Sequence, residues 1–338
     1  MQNNDTIYMQ LAIHKAWEYQ GLTYPNPAVG AVLTLRGQIL SVQAHQKAGS
    51  SHAEVLALVR GYEVLENTKV DFDPQDAHLS HTFLLSLPQG FFTECSIYVT
   101  LEPCSHSGQT PSCASLLKSL ELAKIIIGTK DPIKGHDGGI QKLSNSHLSV
   151  GILEEECKSL IEPFMIWQEK AFILFKLAQT SNGRIATTHN EGYLSSKASL
   201  KSVHQMREFC DVLLIGGNTV REDRPTLDCR FTNGSAPDIK IYSQHDNFDR
   251  EIPLFKIKKR EVSITKDLSF LDKPSFVIVE GGEGMLNLLK EKIDWLLIYQ
   301  TPKLSSHPLG YNTSLKLNFL HQAKKDVDLM IWSRNNGH

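Results

Sequence analysis

The stretch Ser51-His52-Ala53-Glu54 is followed further along the chain by Thr100-Leu101-Glu102-Pro103-Cys104, which runs on to Pro111-Ser112-Cys113. If His52, Cys104 and Cys113 share one metal ion, three distant backbone segments must meet at a point, and few architectures allow that. One imidazole and two thiolates are a zinc donor set, and three protein ligands leave a tetrahedral zinc one further position for water. Water held there ionises near neutral pH, at a pKa of roughly 7, and becomes a nucleophile. A carboxylate must then move protons, and Glu54 lies two residues after His52.

Local patterning agrees with that convergence. From His52 to Leu65 the apolar residues Val55, Leu58, Val59 and Tyr62 follow helical periodicity, with Ser51 as the expected N-cap. Residues 96–101 read as a buried strand that Pro103-Cys104 ends. A second helix is expected with Thr110 as N-cap and Pro111 at its first position, which puts Cys113 in the first turn. There the helix dipole favours thiolate over thiol. Rival readings exist for each part alone. Ser51-x-x-Glu54 is also a capping box, in which Glu54 only satisfies a backbone amide. Buried cysteines also serve as small hydrophobes, and His106 competes as a ligand. The zinc nucleobase deaminases carry H-x-E with P-C-x-x-C, whereas eight residues separate Cys104 from Cys113 here. A cap, however, predicts neither a Pro-Cys after a strand nor a Pro-Ser-Cys opening a helix.

Four stretches, Pro25 to Gly30, His45 to Gly49, His52-Ala53-Glu54 and TLEPCSHSGQTPSC at 100–113, resemble the deaminase half of the bifunctional riboflavin-biosynthesis family, a pyrimidine deaminase joined to a uracil reductase. The resemblance covers much of residues 7–135, and in that family the long cysteine gap is the normal form. It implies a cytidine-deaminase-like three-layer domain over residues 1–150, with Zn2+ on His52, Cys104 and Cys113. It also implies Glu54 as the catalytic proton carrier and Asn26 and His45 as substrate contacts. Ser51 replaces a common proline, and the segment after Asp131-Pro132 lacks the usual pattern.

The 338 residues, 41% hydrophobic with a net charge of −2, suit two α/β domains. Lysines and arginines are scattered, so a nucleic-acid backbone is not expected as a partner. Six cysteines without a disulfide framework, no signal peptide and no membrane-spanning apolar run fit a reducing cytoplasm. Residues 31–35 and 39–43 are expected to form a hairpin around Arg36-Gly37-Gln38. Residues 67–94 read as an irregular insertion, 123–128 as a further strand, and 153–167 as a helix closing the first domain.

In the second half, three strand-turn-helix patterns recur: 172–178 before Gln179 to Arg184, 211–215 before Gly216-Gly217-Asn218-Thr219, and 275–279 before Glu280 to Gly284. Such turns let a phosphate approach the backbone, although none is the G-x-G-x-x-G fingerprint and a Gly-Gly after a strand is often only a tight connection. Residues 176–186, His204 to Arg207 with Asp211, GGNTVREDRPTLDCR at 216–230 and the run 279–304 resemble the reductase half of the same family. That resemblance implies a dihydrofolate-reductase-like α/β domain over residues 151–338 that uses NADPH. Matched by motif, the cofactor positions are Ala178, Tyr193, Thr219, Asp223, Ser243, Gly282, Glu283, Gly284, Met285, Leu286, Asn287 and Leu288. The substrate positions are Lys176, Arg207, Leu227, Arg230 and Glu280, with the two arginines expected to converge on a sugar phosphate. Departures are Asn182 where the family usually has aspartate, Tyr193 where tryptophan is common, and Arg224 before Pro225.

The expected function is therefore zinc-dependent deamination of a phosphorylated pyrimidine, followed by NADPH-dependent reduction of its ribosyl group, in a cytoplasmic homo-oligomer. The rivals are a deaminase of bases in nucleic acid, which the charge disfavours, and a deaminase whose C-terminal half only binds or dimerises. A non-enzymatic zinc scaffold is the third.

Overall fold

The computed structural model describes the chain except Met1, Ser107, Gln109, residues 134–137, Asn145, residues 187–192 and His338. It divides into two units, Met1–Met165 and Ile166–His338, each with its own sheet and core.

The first unit runs α1 (Gln2–Trp17), β1 (Gly30–Leu35), β2 (Gln38–Ala44), α2 (Ala53–Leu65), α3 (Ala77–Ser86), β3 (Cys95–Leu101), α4 (Cys113–Ser119), β4 (Lys124–Thr129), α5 (Gly139–Lys142), β5 (Leu148–Val150) and α6 (Glu154–Ile166). Its five strands lie in the order β2-β1-β3-β4-β5. β1 is antiparallel to β2 and β3, and β3, β4 and β5 are parallel. The expected hairpin is present, and Arg36 (φ 49°) with Gly37 (φ 88°) supplies the left-handed pair that suits the twist of a two-residue hairpin turn.

Alternation along the strands feeds two faces. Ala31, Leu33, Ile97, Val99, Ile125 and Ile127 join Val55, Leu58 and Val59 of α2 and Leu116 and Leu117 of α4 in one core. On the other face Tyr98 stacks against Tyr8 of α1, ring centroids 4.9 Å apart, and its hydroxyl donates to Asp5 at 2.7 Å. Helices on both faces explain why β1 and β3 read as continuous apolar runs. Each fully buried Leu or Ile here contributes roughly 1.5–3 kcal/mol. α2 approaches β1 closely because Gly61 leaves room for Leu33: a Cβ there would lie 2.2 Å from Leu33 Cδ2.

Three local expectations change. The N-cap of α2 is His52, not Ser51. The second metal helix starts at Cys113 with Ser112 as its cap, not at Pro111 after Thr110. Residues 67–94 are not uniformly irregular, since they contain α3, where the Asp76 carboxylate accepts the backbone N–H groups of His78 and Leu79. Ala77, Ser80, His81 and Leu84 are buried at helical spacing, and Phe83 packs on Tyr62 and Phe72, which ties the insertion to α2.

The second unit runs β6 (Ala171–Thr180), α7 (Lys197–Phe209), β7 (Val212–Gly216), α8 (Gly217–Asp223), β8 (Asp238–Tyr242), β9 (Val262–Thr265), β10 (Ser275–Glu280), α9 (Glu283–Leu289), β11 (Trp295–Thr301), β12 (Leu317–Lys325) and β13 (Asp328–Asn335). The eight strands are ordered β12-β13-β11-β6-β10-β7-β8-β9. From β11 to β9 all neighbours are parallel, and β13 and β12 add an antiparallel edge. Ile173, Phe175, Val277 and Val279 face Met285, Leu286 and Leu289 of α9. Phe172 and Phe276 on the opposite face meet Trp167 and Trp295. The three expected strand-turn-helix segments all feed this sheet; Thr219, Ser243 and Gly282 follow the carboxyl ends of β7, β8 and β10, the edge where open α/β sheets bind ligands, whereas Arg207 lies on α7 and Tyr193, Leu227 and Arg230 in loops.

Candidate active sites

In the first unit the sheet and two helix starts deliver the donor set. His52 caps α2 with extended backbone (φ −69°, ψ 162°) and makes no capping hydrogen bond through its side chain. Cys104 follows β3, and Cys113 is the first residue of α4. His52 Nδ1 lies 3.3 Å from Cys113 Sγ and 3.8 Å from Cys104 Sγ, and the three ligand atoms all fall within 4.8 Å of one another. Bonds of zinc length at tetrahedral angles require edges of about 3.5 Å, so the residues fit the ion. Ser112 Oγ–H and Ala114 N–H both donate to Cys104 O, at 2.9 and 3.1 Å. Cys113 N–H donates to Cys104 Sγ at 3.3 Å. The hydrogen bond from the Cys113 thiol holds the Cys104 thiol well below the ordinary thiol range, and Cys113 is correspondingly raised. His106 lines the cavity without joining the donor group.

Glu54 is buried in the first turn of α2, and burial pushes its carboxyl above the usual range. That is the shift a proton carrier working near neutrality needs. The capping-box alternative is not realised, because Ser51 is not the cap and its Oγ has no hydrogen-bond partner among the described residues. Asn26 Nδ2 lies 3.1 Å from His45 Nε2, and His45 Nδ1 lies 3.2 Å from Ser51 O. An Nδ1–H tautomer satisfies both contacts. Burial, with the neighbouring His52, lowers His45 to about 4, so it is neutral at pH 7. Asn26, His45, His52, Glu54 and Cys104 line a cavity of 410 Å³, with Pro25, Asp131 and Phe164 on its wall.

Glu102 escaped the sequence reading. Buried at the end of β3, its carboxylate accepts the backbone N–H groups of Asp131, Gly138 and Ile140 at 3.1, 3.1 and 2.9 Å. It thereby ties the segment after β4 to the Cys104 turn. An acid wedged between a buried strand and a proline was the available signal.

In the second unit Lys176 (β6), Arg207 (α7) and Glu280 (β10) form one buried ion triad. Lys176 Nζ lies 2.9 Å from Glu280 Oε2, and Arg207 Nη2 and Nε lie 2.7 and 2.8 Å from Oε1. Arg207 Nη1 also donates to Asp228 O at 3.3 Å, while exposed Arg230 pairs with the Asp228 carboxylate at 2.8 Å. The two arginines therefore meet around Asp228, and the charge of Arg207 is already balanced by Glu280. Against the cost of burial, Arg207 and Lys176 hold Glu280 down at about 2 from its usual 4.5. A carboxyl depressed in the folded state contributes stability above its unfolded pKa and loses it as pH falls through the folded one. Acid titration followed by tryptophan fluorescence should show the second unit losing about 3 kcal/mol between pH values of about 4.5 and 2. The Glu280→Gln variant should lack that part of the slope, and an unchanged slope would refute the assignment.

The other expected cofactor and substrate residues lie on several elements of the second unit. Ala178 lies on β6, Thr219 and Asp223 on α8, Ser243 just past β8, and Gly282 caps α9, which runs from Glu283 through Leu288 to Leu289. Nothing lies within 4 Å of a Cβ built on Gly282 or Gly284, so backbone there is open to a ligand. Gly217 instead serves packing, since a Cβ would meet Ser243 at 2.8 Å. Glu283 is committed to the chain: its carboxylate accepts from Thr313 Oγ1 at 2.6 Å and Asn312 N–H at 2.9 Å. Burial raises the Asp223 carboxyl, Tyr193 is exposed, and Leu227 is buried with φ 54°. Arg221, another residue the sequence reading passed over, donates to Ser243 Oγ and Asn247 Oδ1 at 3.0 and 2.8 Å and stacks on Phe248.

Asn182 has a local explanation. Its Oδ1 accepts from Thr180 Oγ1 at 2.7 Å and Ser305 N–H at 3.1 Å, and its Nδ2 donates to Ser305 O at 2.9 Å. Only an amide both accepts and donates in this way. The Asn182→Asp variant is expected to lose about 1–2 kcal/mol in thermal unfolding, because an acceptor would then face the Ser305 carbonyl. A gain in stability would show that the bridge is unimportant.

The geometry defines two classes in one chain: a zinc-site domain of deaminase type and a mixed-sheet domain of reductase type. Residues 2–129 match the family described as the cytidine and deoxycytidylate deaminase zinc-binding region, and residues 171–305 match the RibD C-terminal domain. The riboflavin biosynthesis protein RibD of Aquifex aeolicus is 33% identical over 294 residues, 85% of this chain and 72% of that protein. Its Mycobacterium tuberculosis counterpart is 28% identical over 320 residues, 89% and 86% of the two chains. With the Synechocystis protein the match is 33% over 230 residues, spanning 66% of this chain and 55% of that one. The chain belongs to the RibD family. The solved Thermotoga maritima diaminohydroxyphosphoribosylaminopyrimidine deaminase/5-amino-6-(5-phosphoribosylamino)uracil reductase shares the fold at a TM-score of 0.66 and 24% identity, covering 98% of this chain and 99% of that one.

Proposed function

We propose that this chain is a bifunctional enzyme of riboflavin biosynthesis. It deaminates 2,5-diamino-6-(5-phosphoribosylamino)pyrimidin-4-one in its first unit, then reduces the ribosyl group of 5-amino-6-(5-phosphoribosylamino)uracil to the ribityl form in its second. The observation that carries this reading is the His52, Cys104 and Cys113 triangle with buried Glu54, its carboxyl raised by burial, beside it in one cavity. When bound, zinc supplies activated water, and NADPH supplies a hydride for C1′ of the opened ribose.

The chain's own groups do the rest. Glu54 takes a proton from the attacking water and passes protons to the ring nitrogen and the departing ammonia. Asn26, held in place by its hydrogen bond to neutral His45, offers the rest of its amide to the pyrimidine in the 410 Å³ cavity. In the second unit Lys176 and Glu280 orient the sugar, and Arg230, whose guanidinium is about half exposed, is the cation best placed for its phosphate. The open backbone at Gly282 to Gly284, with Thr219 and Ser243, suits the cofactor. The net charge of −2 disfavours nucleic acid as a partner. Among the described residues no helix is long and apolar enough to cross a membrane; a cytoplasmic homo-oligomer is the state we propose.

Purified protein given the deaminase substrate should release ammonia and then oxidise NADPH in equal amounts, the two signals followed separately. Ammonia without NADPH oxidation would leave a deaminase with a non-catalytic second unit.

A further inference from the structure

We infer that Thr110 is a positioning residue for the metal ligand His52, accepting the Nε2–H of its imidazole and so presenting Nδ1 to the metal. This rests on the zinc reading of the site. Both sulfur atoms lie against Nδ1, at 3.3 and 3.8 Å, while Thr110 Oγ1 lies 3.2 Å from Nε2 on the other side of the ring. A neutral imidazole carries one N–H and one lone pair, and a metal takes the lone pair, so the proton must sit on the far nitrogen. An acceptor placed there selects that tautomer, fixes the ring plane and makes the ligating nitrogen more basic.

The loop that carries Thr110 is itself anchored. Ser112 Oγ–H and Ala114 N–H fasten its end to Cys104 O, and Gly108 N–H donates to Thr110 O at 3.0 Å. His45 closes the neighbouring side of His52 in a T-shaped contact, centroids 5.3 Å apart. The wide cysteine spacing thereby acquires a purpose. In a P-C-x-x-C site only two residues lie between the thiolates, too few to pass behind the imidazole. Here eight residues intervene, and one of them supplies the outer hydrogen bond.

The test uses the full chain, stripped of metal and titrated with Zn2+ against a chromophoric chelator, for the wild type, Thr110→Val, Thr110→Ala and Thr110→Ser. Val and Ala remove the acceptor and should each weaken apparent zinc affinity about 10–100-fold, whereas Ser should restore it. The visible spectrum of the Co2+-loaded protein should shift with Val and Ala but not with Ser. Wild-type affinity and an unchanged Co2+ spectrum in a folded Val or Ala variant would overturn the proposal, as would an effect confined to substrate KM. Because Ala opens space where Val keeps bulk, loss of folding in one leaves the other decisive, and thermal unfolding followed by circular dichroism reports that the first unit is folded in each variant. If the wild type itself takes up no zinc, the metal reading fails rather than the role of Thr110.

Discussion

Replacing Glu54 by glutamine is expected to lower deaminase turnover by about 10²–10⁴-fold, the usual contribution of a positioned acid-base group. Zinc content and NADPH-dependent reduction of added 5-amino-6-(5-phosphoribosylamino)uracil should be unchanged. The amide has nearly the carboxyl's shape but cannot exchange protons near neutral pH. Glu54 is buried, and burial favours its neutral form, so the substitution costs the fold little while removing the proton path. Ammonia release, metal analysis and NADPH oxidation on one preparation distinguish the outcomes. A variant that deaminates at the wild-type rate would reduce Glu54 to a packing residue. Loss of zinc together with activity would mean that Glu54 supports the metal rather than the reaction.

Glu280→Gln should have the largest effect on the second unit. The glutamate is the anion shared by Lys176 and Arg207, whose side chains are 18% and 10% exposed. Breaking a buried pair by removing one partner costs about 3–5 kcal/mol, because the other charge is left uncompensated. Here two cations are left. The variant should unfold its second unit at lower temperature and lose NADPH oxidation while ammonia release continues. Adding Arg207→Met to Glu280→Gln should recover part of the stability, since residues sharing one network do not behave additively. Strict additivity would show that the two side chains act separately despite the contacts of 2.7 and 2.8 Å.

The same triad shows where sequence reading stops. Lys176, Arg207 and Glu280 are each expected from the sequence as substrate positions, and the structure joins them through Glu280, the last residue of β10. Nothing in the linear pattern showed that they neutralise one another, because they come from a strand, a helix and a second strand joined only by tertiary packing. Asn182 looked like a lost carboxylate until the bridge to Ser305 appeared, a contact across 123 residues of chain. The reverse holds for α3. Asp76 and the spacing of Ala77, Ser80, His81 and Leu84 were readable, but the surrounding aspartates, prolines and glycine outweighed them.

Periodicity, strand boundaries and the chemistry of the His-x-Glu and Pro-Cys motifs are local properties, so the chain order by itself determined the alternation of strands and helices and pointed to His52, Cys104 and Cys113 as one donor group and to Glu54 beside it. Only the tertiary structure decided which neighbours those groups have: that His52 rather than Ser51 caps α2, that Glu102 ties down the segment after β4, and that Thr110 stands behind the ligating imidazole. Hydrogen bonds and charge pairs act over a few ångströms and depend on direction, and residues far apart along the chain reach such distances only once both faces of the sheet are packed.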